Sequence, residues 1–230
     1  MKIVAISAGL GLPSSASMLS ERLAKASGAD QIQVIELRDL AHDLVNALLT
    51  RVNSPAVTRA VEAVVASDGL VVVSPVFNAS FSGLFKLFFD VLHEGALLDK
   101  PVLLGATGGS SRHSLVVDQA MLPLFFYLKA AVVPTSVFAA TEDWGDASSG
   151  LNRRIELAGS QLRQMVLQRI GSPVEVTDAE TGSGAQAQRD GAAQADDQVD
   201  RPASNGRTSQ SATAGDFTIT RTLEEMLGDI

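Results

Sequence analysis

The chain has 230 residues, 46% of them hydrophobic and none of them cysteine. It can bury a sizeable core, while disulfides, thiolate catalysis and cysteine-bound metals are excluded, as suits a reducing compartment. Residues 1–171 hold 14 Lys/Arg against 15 Asp/Glu and residues 172–230 hold 4 against 11, so the net charge of −8 sits mostly at the end, and no basic stripe for nucleic acid is present.

Residues 2–7 read as a buried strand. This opening run is too short for a signal segment, and no later apolar run reaches transmembrane length, so a soluble cytoplasmic protein that does not enter membranes is expected. Next comes Ala8-Gly9-Leu10-Gly11-Leu12-Pro13-Ser14-Ser15-Ala16-Ser17, then Met18, Leu19, Leu23 and Ala24 at helical spacing. Strand, Gly/Ser loop and helix together present N–H groups and hydroxyls to a phosphate. An ordinary serine-capped connection reads the same way. There is no Walker A pattern, and Ser14 stands where the third glycine of G-x-G-x-x-G would be.

Residues 31–37 alternate as a second strand, and 40–49 and 56–66 predict helices separated by Asn53-Ser54-Pro55. Residues 69–73 are short and β-branched, a third buried strand. A small polar loop with one aromatic follows, and then Leu84, Phe85, Leu87, Phe88, Val91 and Leu92 recur at helical spacing. Residues 100–106 make a fourth strand that runs into a second flexible loop, Thr107 to Ser114. A helix over 115–128 bent near Pro123, a fifth strand over 131–139 and a helix over 151–170 complete the pattern.

This alternation predicts a three-layer α/β sandwich around a five-stranded parallel sheet. With strand order 2-1-3-4-5, the polar loops after strands one, three and four share one carboxyl edge, where such sheets bind ligands. Residues 172–215 are too poor in large apolar groups to fold and read as a disordered acidic linker. Residues 216–230 regain Phe217, Ile219, Leu223, Met226 and Leu227 with a capping box at Thr222 and Glu225, and read as a short amphipathic docking segment.

Three blocks carry a family resemblance: Ser7-Ala8-Gly9 through Pro13-Ser14-Ser15; Ser74-Pro75-Val76-Phe77-Asn78-Ala79-Ser80 with Ser82-Gly83-Leu84-Phe85-Lys86 and Asp90; and Gly105-Ala106-Thr107-Gly108-Gly109-Ser110. On these, residues 1–171 resemble the NADPH-dependent FMN reductases of the flavodoxin-like fold. More narrowly, they are similar to actinobacterial FMN reductases that accompany luciferase-like monooxygenases. The resemblance implies that Ser7, Ser14, Ser15 and Ser17 hold the FMN phosphate. Pro75, Val76, Phe77, Asn78 and Ser80 would follow the isoalloxazine edge, with Thr107, Gly108, Gly109 and Ser110 under the other side of the ring. It also implies NADPH or NADH as hydride donor, reduced flavin passed to an acceptor or partner monooxygenase, and no protein acid or base. The family often has an arginine in or just after the first loop, but none lies between Lys2 and Arg22 here. Backbone N–H groups and the helix dipole are therefore expected to neutralise the phosphate, with FMN exchanging as a substrate does.

Other readings stay open on the same scaffold: a quinone, chromate or azo reductase, a flavodoxin-type electron carrier, or an interaction module without cofactor. The lone Tyr127 and lone Trp144 favour an open site over a carrier's aromatic sandwich. Asn78 is either a partner for the flavin's pyrimidine end or a turn asparagine, and Phe77 lines the ring or the core. Arg112 and His113 meet the nicotinamide nucleotide's phosphates or begin a solvated helix. His42 and His93 read as surface or packing residues, with no spacing that suggests a metal. Lys86 and Asp90 read as an i,i+4 pair. Phe81, Phe85, Phe88 and Phe89 are too many for one buried stripe; they are core only or, the reading favoured here, they meet a second copy in a homodimer or homotetramer. Ser110 and Ser111 lie near His113, but the G-x-S-x-G elbow of hydrolases is missing.

Overall fold

A computed structural model of the chain describes residues 1–171. The expected linker over 172–215 and the docking segment over 216–230 lie outside the described residues.

The elements follow in the order β1 (Lys2–Ser7), α1 (Ser15–Ala26), β2 (Gln31–Glu36), α2 (Ala41–Thr50), α3 (Pro55–Val65), β3 (Gly69–Phe77), β4 (Ser80–Phe81), α4 (Gly83–Asp90), β5 (Pro101–Gly108), α5 (Leu122–Tyr127), β6 (Ala131–Val132), β7 (Val137–Ala140) and α6 (Leu151–Gly171). The sheet runs β2-β1-β3-β5-β6, with β7 also parallel to β5 and β4 antiparallel to β3. In terms of the five expected strands this is the order 2-1-3-4-5. β5 is the fourth, and β6 with β7 are a broken fifth. The break falls at Pro134, which has no N–H to donate to the ladder. The N–H of the next residue, Thr135, donates instead to Gln161 Oε1 of α6 at 3.0 Å.

The layers follow from strand alternation. Val4, Ile6, Leu70, Val72, Val102 and Leu104 face α2, α3, α4 and α5. Ile3, Ala5, Val71, Val73 and Leu103 face α1 and α6 on the other side. At Gly159 of α6 an added Cβ would lie 2.5 Å from the backbone of Ala26, so glycine there permits α1 and α6 to touch.

Two expectations are corrected. The stretch after residue 73 is not an open loop. β3 continues to Phe77 and turns back as β4 through Asn78 and Ala79, with Phe77 paired to Ser80. Both turn residues have positive φ, 48° and 66°, as a two-residue hairpin turn requires. Secondly, the phenylalanine cluster is internal. Phe85, Phe88 and Phe89 are buried and Phe81 is half-buried. Their rings pack on one another and on Phe125, with Phe85–Phe89 and Phe89–Phe125 centroids 4.8 and 5.0 Å apart. α4 is apolar on more than one face because it is enclosed by the sheet, α2 and α5, so its aromatics do not call for a second copy.

Before α5 the helix contains a wide π turn, Val117–Met121. This turn lies just before Pro123, which cannot donate to the carbonyl four residues back. The expected bend is thus a change of helical pitch.

Candidate functional site

The carboxyl ends of β1, β3 and β5 lie side by side. Ser7 is in register with Val73, and Pro75 with Thr107. The first of the three segments is built on serine hydrogen bonds. Ser14 caps α1, its Oγ accepting the N–H of Ser17 at 3.2 Å. Ser7 is buried at the end of β1, with its Oγ 3.0 Å from Ser17 Oγ, and it accepts the N–H of Gly9 at 3.4 Å. A Cβ at Gly9 would lie 2.0 Å from Ser14 Oγ, so only glycine lets the loop fold back onto the cap. Ser15 is exposed at the first turn of α1 and Ser17 half-buried beside it. No acidic residue occupies that first turn. The result is a row of hydroxyls and helical N–H groups with the polarity an anion needs.

The second segment is the β3–β4 hairpin. Pro75 and Val76 are half-buried at its base, whereas Phe77 is 43% exposed, so Phe77 is not a core aromatic. Asn78 is exposed at the tip, and Ser80 is half-buried opposite Phe77. Ser82 ties hairpin and first loop together. Its N–H donates to the buried Ser74 Oγ at 2.9 Å, and its Oγ donates to Ala8 O at 3.4 Å while capping α4 through the N–H of Phe85. Ser74 and Ser82 are site-building residues that the sequence placed in a motif without assigning them a role.

In the third segment Thr107 is buried in β5, Gly108 ends that strand, and Gly109 is exposed, with no atom within 4 Å of where its Cβ would be. Ser110 Oγ is buried without a hydrogen-bond partner. Arg112 and His113 sit in the following 3-10 turn, Ser111–His113, Arg112 Nε donating to His113 Nε2 at 3.2 Å. The N–H of Ser111 donates to Glu142 Oε1 at 3.3 Å, which braces this loop against the segment after β7.

Sequence reasoning missed one charged group. Arg38, just beyond β2, reaches across to the first loop and donates from Nη1 to Gly11 O at 3.0 Å. The strand order already placed β2 beside β1, but the reach of the side chain is not readable from a sequence. Trp144 packs under the Arg22 guanidinium, 5.6 Å from its ring centre. Tyr127 is far from these loops. It lines a cavity of about 560 Å³ at the opposite, amino edge of the sheet, together with Phe89, Leu92, Leu97, Leu128 and Lys129. His42 and His93 are exposed, and Lys86–Asp90 form the i,i+4 ion pair at 2.5 Å. Among the described residues no group of three His, Cys, Asp or Glu is arranged to hold a metal.

A parallel sheet of this order with three polar segments converging on one carboxyl edge defines a flavodoxin-like α/β protein with a nucleotide site. The comparisons are more specific. The sequence matches the family of NADPH-dependent FMN reductases over residues 1–145. An NADH-dependent FMN reductase, SfnF, of Pseudomonas fluorescens is 41% identical over 168 residues, 70% of this chain and 89% of that protein. An NADPH-type FMN reductase of Pseudomonas aeruginosa is 40% identical over 167 residues, 70% of this chain and 89% of the relative. The crystal structure of an oxidoreductase from Corynebacterium diphtheriae superposes with a TM-score of 0.67 at 45% identity, covering 73% of this chain and 97% of that one. The chain therefore belongs to the NADPH-dependent FMN reductase family, oxidoreductases that pass a hydride from a nicotinamide nucleotide to FMN.

The residues present fit FMN. The serine-capped start of α1 offers donors to a phosphate. The orphaned Ser110 Oγ and the open space beside Gly109 leave a polar and sterically free wall for a flat ring.

Proposed function

We propose that the chain binds FMN across the three segments as an exchangeable substrate and delivers the reduced flavin to a partner monooxygenase. In this reading Ser7, Ser14, Ser15 and Ser17 hold the phosphate. Pro75 to Ser80 follow the ring edge with Asn78 at the pyrimidine end, and Thr107 to Ser110 lie under the other side. Arg112 and His113 stand where the phosphates of a second nucleotide would arrive. When bound, FMN supplies the hydride-accepting chemistry. The protein orients the ring, satisfies its polar edges and limits water. The observation that carries the reading is the Ser82 tie, which joins the hairpin to the first loop through Ala8 O. Exposure of the hairpin tip suits a flavin that enters and leaves.

The reading places the protein in the cytoplasm, where nicotinamide nucleotides are available. Among the described residues no helix is long and apolar enough to cross a membrane. A homo-oligomer, dimer or tetramer, belongs to the same proposal. Its support is the exposed Phe126 rather than the phenylalanine cluster. Residues 216–230 are proposed as a docking element for the flavin acceptor, tethered by residues 172–215, which raises donor concentration near it.

Steady-state NAD(P)H oxidation with and without added FMN tests this. Oxidation should require FMN, saturate with it, and support a flavin-dependent monooxygenase added in trans. FMN that co-purifies and gives the same rate without addition would rule out the exchangeable substrate. Flavin bound without NAD(P)H oxidation would indicate an electron carrier.

A further inference from the structure

We infer that Arg38 is the counter-charge of the FMN phosphate, supplied to a loop that has no cation of its own by the neighbouring strand. The inference rests on the reading of residues 7–17 as the phosphate loop.

A phosphate carries close to two negative charges at neutral pH. N–H groups and a helix N-terminus offset these only in part. Within residues 8–17 there is no basic residue. Arg22 and Arg38 are the next arginines along the chain. Arg22 is committed elsewhere: its guanidinium lies over Trp144 and donates to Asn152 Oδ1. Arg38 is directed at the loop itself. Ser7 at the end of β1 is in register with Glu36 at the end of β2, and the 3-10 turn Leu37–Leu40 then sends the Arg38 side chain back across β1's exit. There Nη1 donates to Gly11 O at 3.0 Å, and the side chain is only 21% exposed, so its stem is packed and its head is held.

The guanidinium keeps donors free. It has five N–H groups in a planar fork. The carboxylates of Glu36 and Asp39 lie 3.8 and 3.7 Å away, close enough for attraction but beyond hydrogen-bond length. Gly11 O takes one N–H of Nη1, and Nη2 and Nε face Glu36 and Asp39, so a phosphate oxygen would be met by the second N–H of Nη1 and the neighbouring N–H of Nη2. Two carboxylates flank the one guanidinium, so part of its charge is compensated before a phosphate arrives. A purely structural Arg38 would pin the loop through Gly11 and serve any flavin alike. A counter-charge discriminates FMN from riboflavin, which has no phosphate.

Fluorescence titration of the full chain with FMN and with riboflavin tests this, on the wild type, Arg38→Met, Arg38→Lys and the double variant Ser15→Ala/Ser17→Ala. Arg38→Met should raise the FMN dissociation constant by about ten- to a hundredfold and change that of riboflavin by no more than about twofold, with Arg38→Lys between wild type and Arg38→Met. Equal weakening of both flavins, or an unchanged FMN constant, would overturn the inference. If Arg38→Met loses its circular dichroism signature, Arg38→Lys decides by the same ratio of the two constants. The serine variant separates the two failures. If it lowers the preference for FMN while the arginine variants do not, the phosphate loop stands and Arg38 alone is excluded. If the preference survives in every variant, the phosphate lies elsewhere and both readings fall.

Discussion

Asn78 shows how one residue carries two demands. Its φ of 48° lies in the left-handed region, which asparagine tolerates better than most side chains and which the two-residue turn requires. A leucine there would strain the hairpin and remove the amide at once, so a loss of binding could not be assigned to either. Asn78→Gly keeps the backbone freedom and removes only the amide. If the amide meets the flavin's pyrimidine end, this change should weaken FMN binding by about 1–3 kcal/mol, the cost of leaving a buried polar group without its partner. The melting temperature should be nearly unchanged. Titration by flavin fluorescence beside a thermal melt checks both, and full FMN affinity would make Asn78 a turn residue only. The turn was legible in the residue type. The hairpin was not, because Ser74-Pro75 reads as the end of a strand until Ser74 Oγ is seen to accept the N–H of Ser82.

Lys100 shows the same economy between elements. It immediately precedes β5, is buried, and donates from Nζ to Val65 O at 3.0 Å and Ser67 O at 2.5 Å, carbonyls at and just beyond the end of α3. Burial, with a smaller push from Arg169 and an opposing pull from Asp68, lowers its pKa from 10.5 to about 8. Below pH 8 folded and unfolded chains both carry the charge, and the folded state bears the cost of burying it. Between about 8 and 10.5 the folded chain releases the proton while the unfolded chain keeps it, so this group's contribution to stability rises with pH. Urea unfolding of wild type and Lys100→Met at about pH 7 and about pH 10 should show wild type gaining on the variant at the higher pH. Parallel pH profiles would mean that the lysine is solvated. Sequence periodicity located β5 and α3 but could not pair them through a side chain, since Lys100 and Val65 are 35 positions apart.

At the scale of the whole molecule, the strand order was legible because alternating strands and helices admit few topologies, and polar loops after strands one, three and four then fall on one edge. What was not legible depended on packing in three dimensions. The Phe85 and Phe88 faces of α4 looked exposed because a helix was counted as having one buried side, whereas here it is enclosed from several. The placement of Arg38 was not legible because its partner Gly11 belongs to a different strand's loop. Among the described residues, 1–171 build both layers of helices and the two cores beneath them. Deleting residues 172–230 should therefore leave FMN affinity and intrinsic NAD(P)H oxidation near those of the full chain, and weaken only transfer of flavin to its acceptor. An insoluble truncated chain, or one that no longer binds FMN, would place part of the tail in the catalytic body.

The cavity at the amino edge has a practical consequence for anyone seeking inhibitors. Its volume of about 560 Å³ admits a small molecule, its lining mixes Phe89, Leu97 and Tyr127 with Asp90, Glu94 and Lys129, and it opens at the opposite end of the strands from the flavin segments. A compound seated there stabilises the folded state by mass action without meeting FMN. Thermal-shift screening of this protein would thus enrich stabilisers that leave turnover intact, and competition with FMN is the criterion that sorts active-site ligands from them.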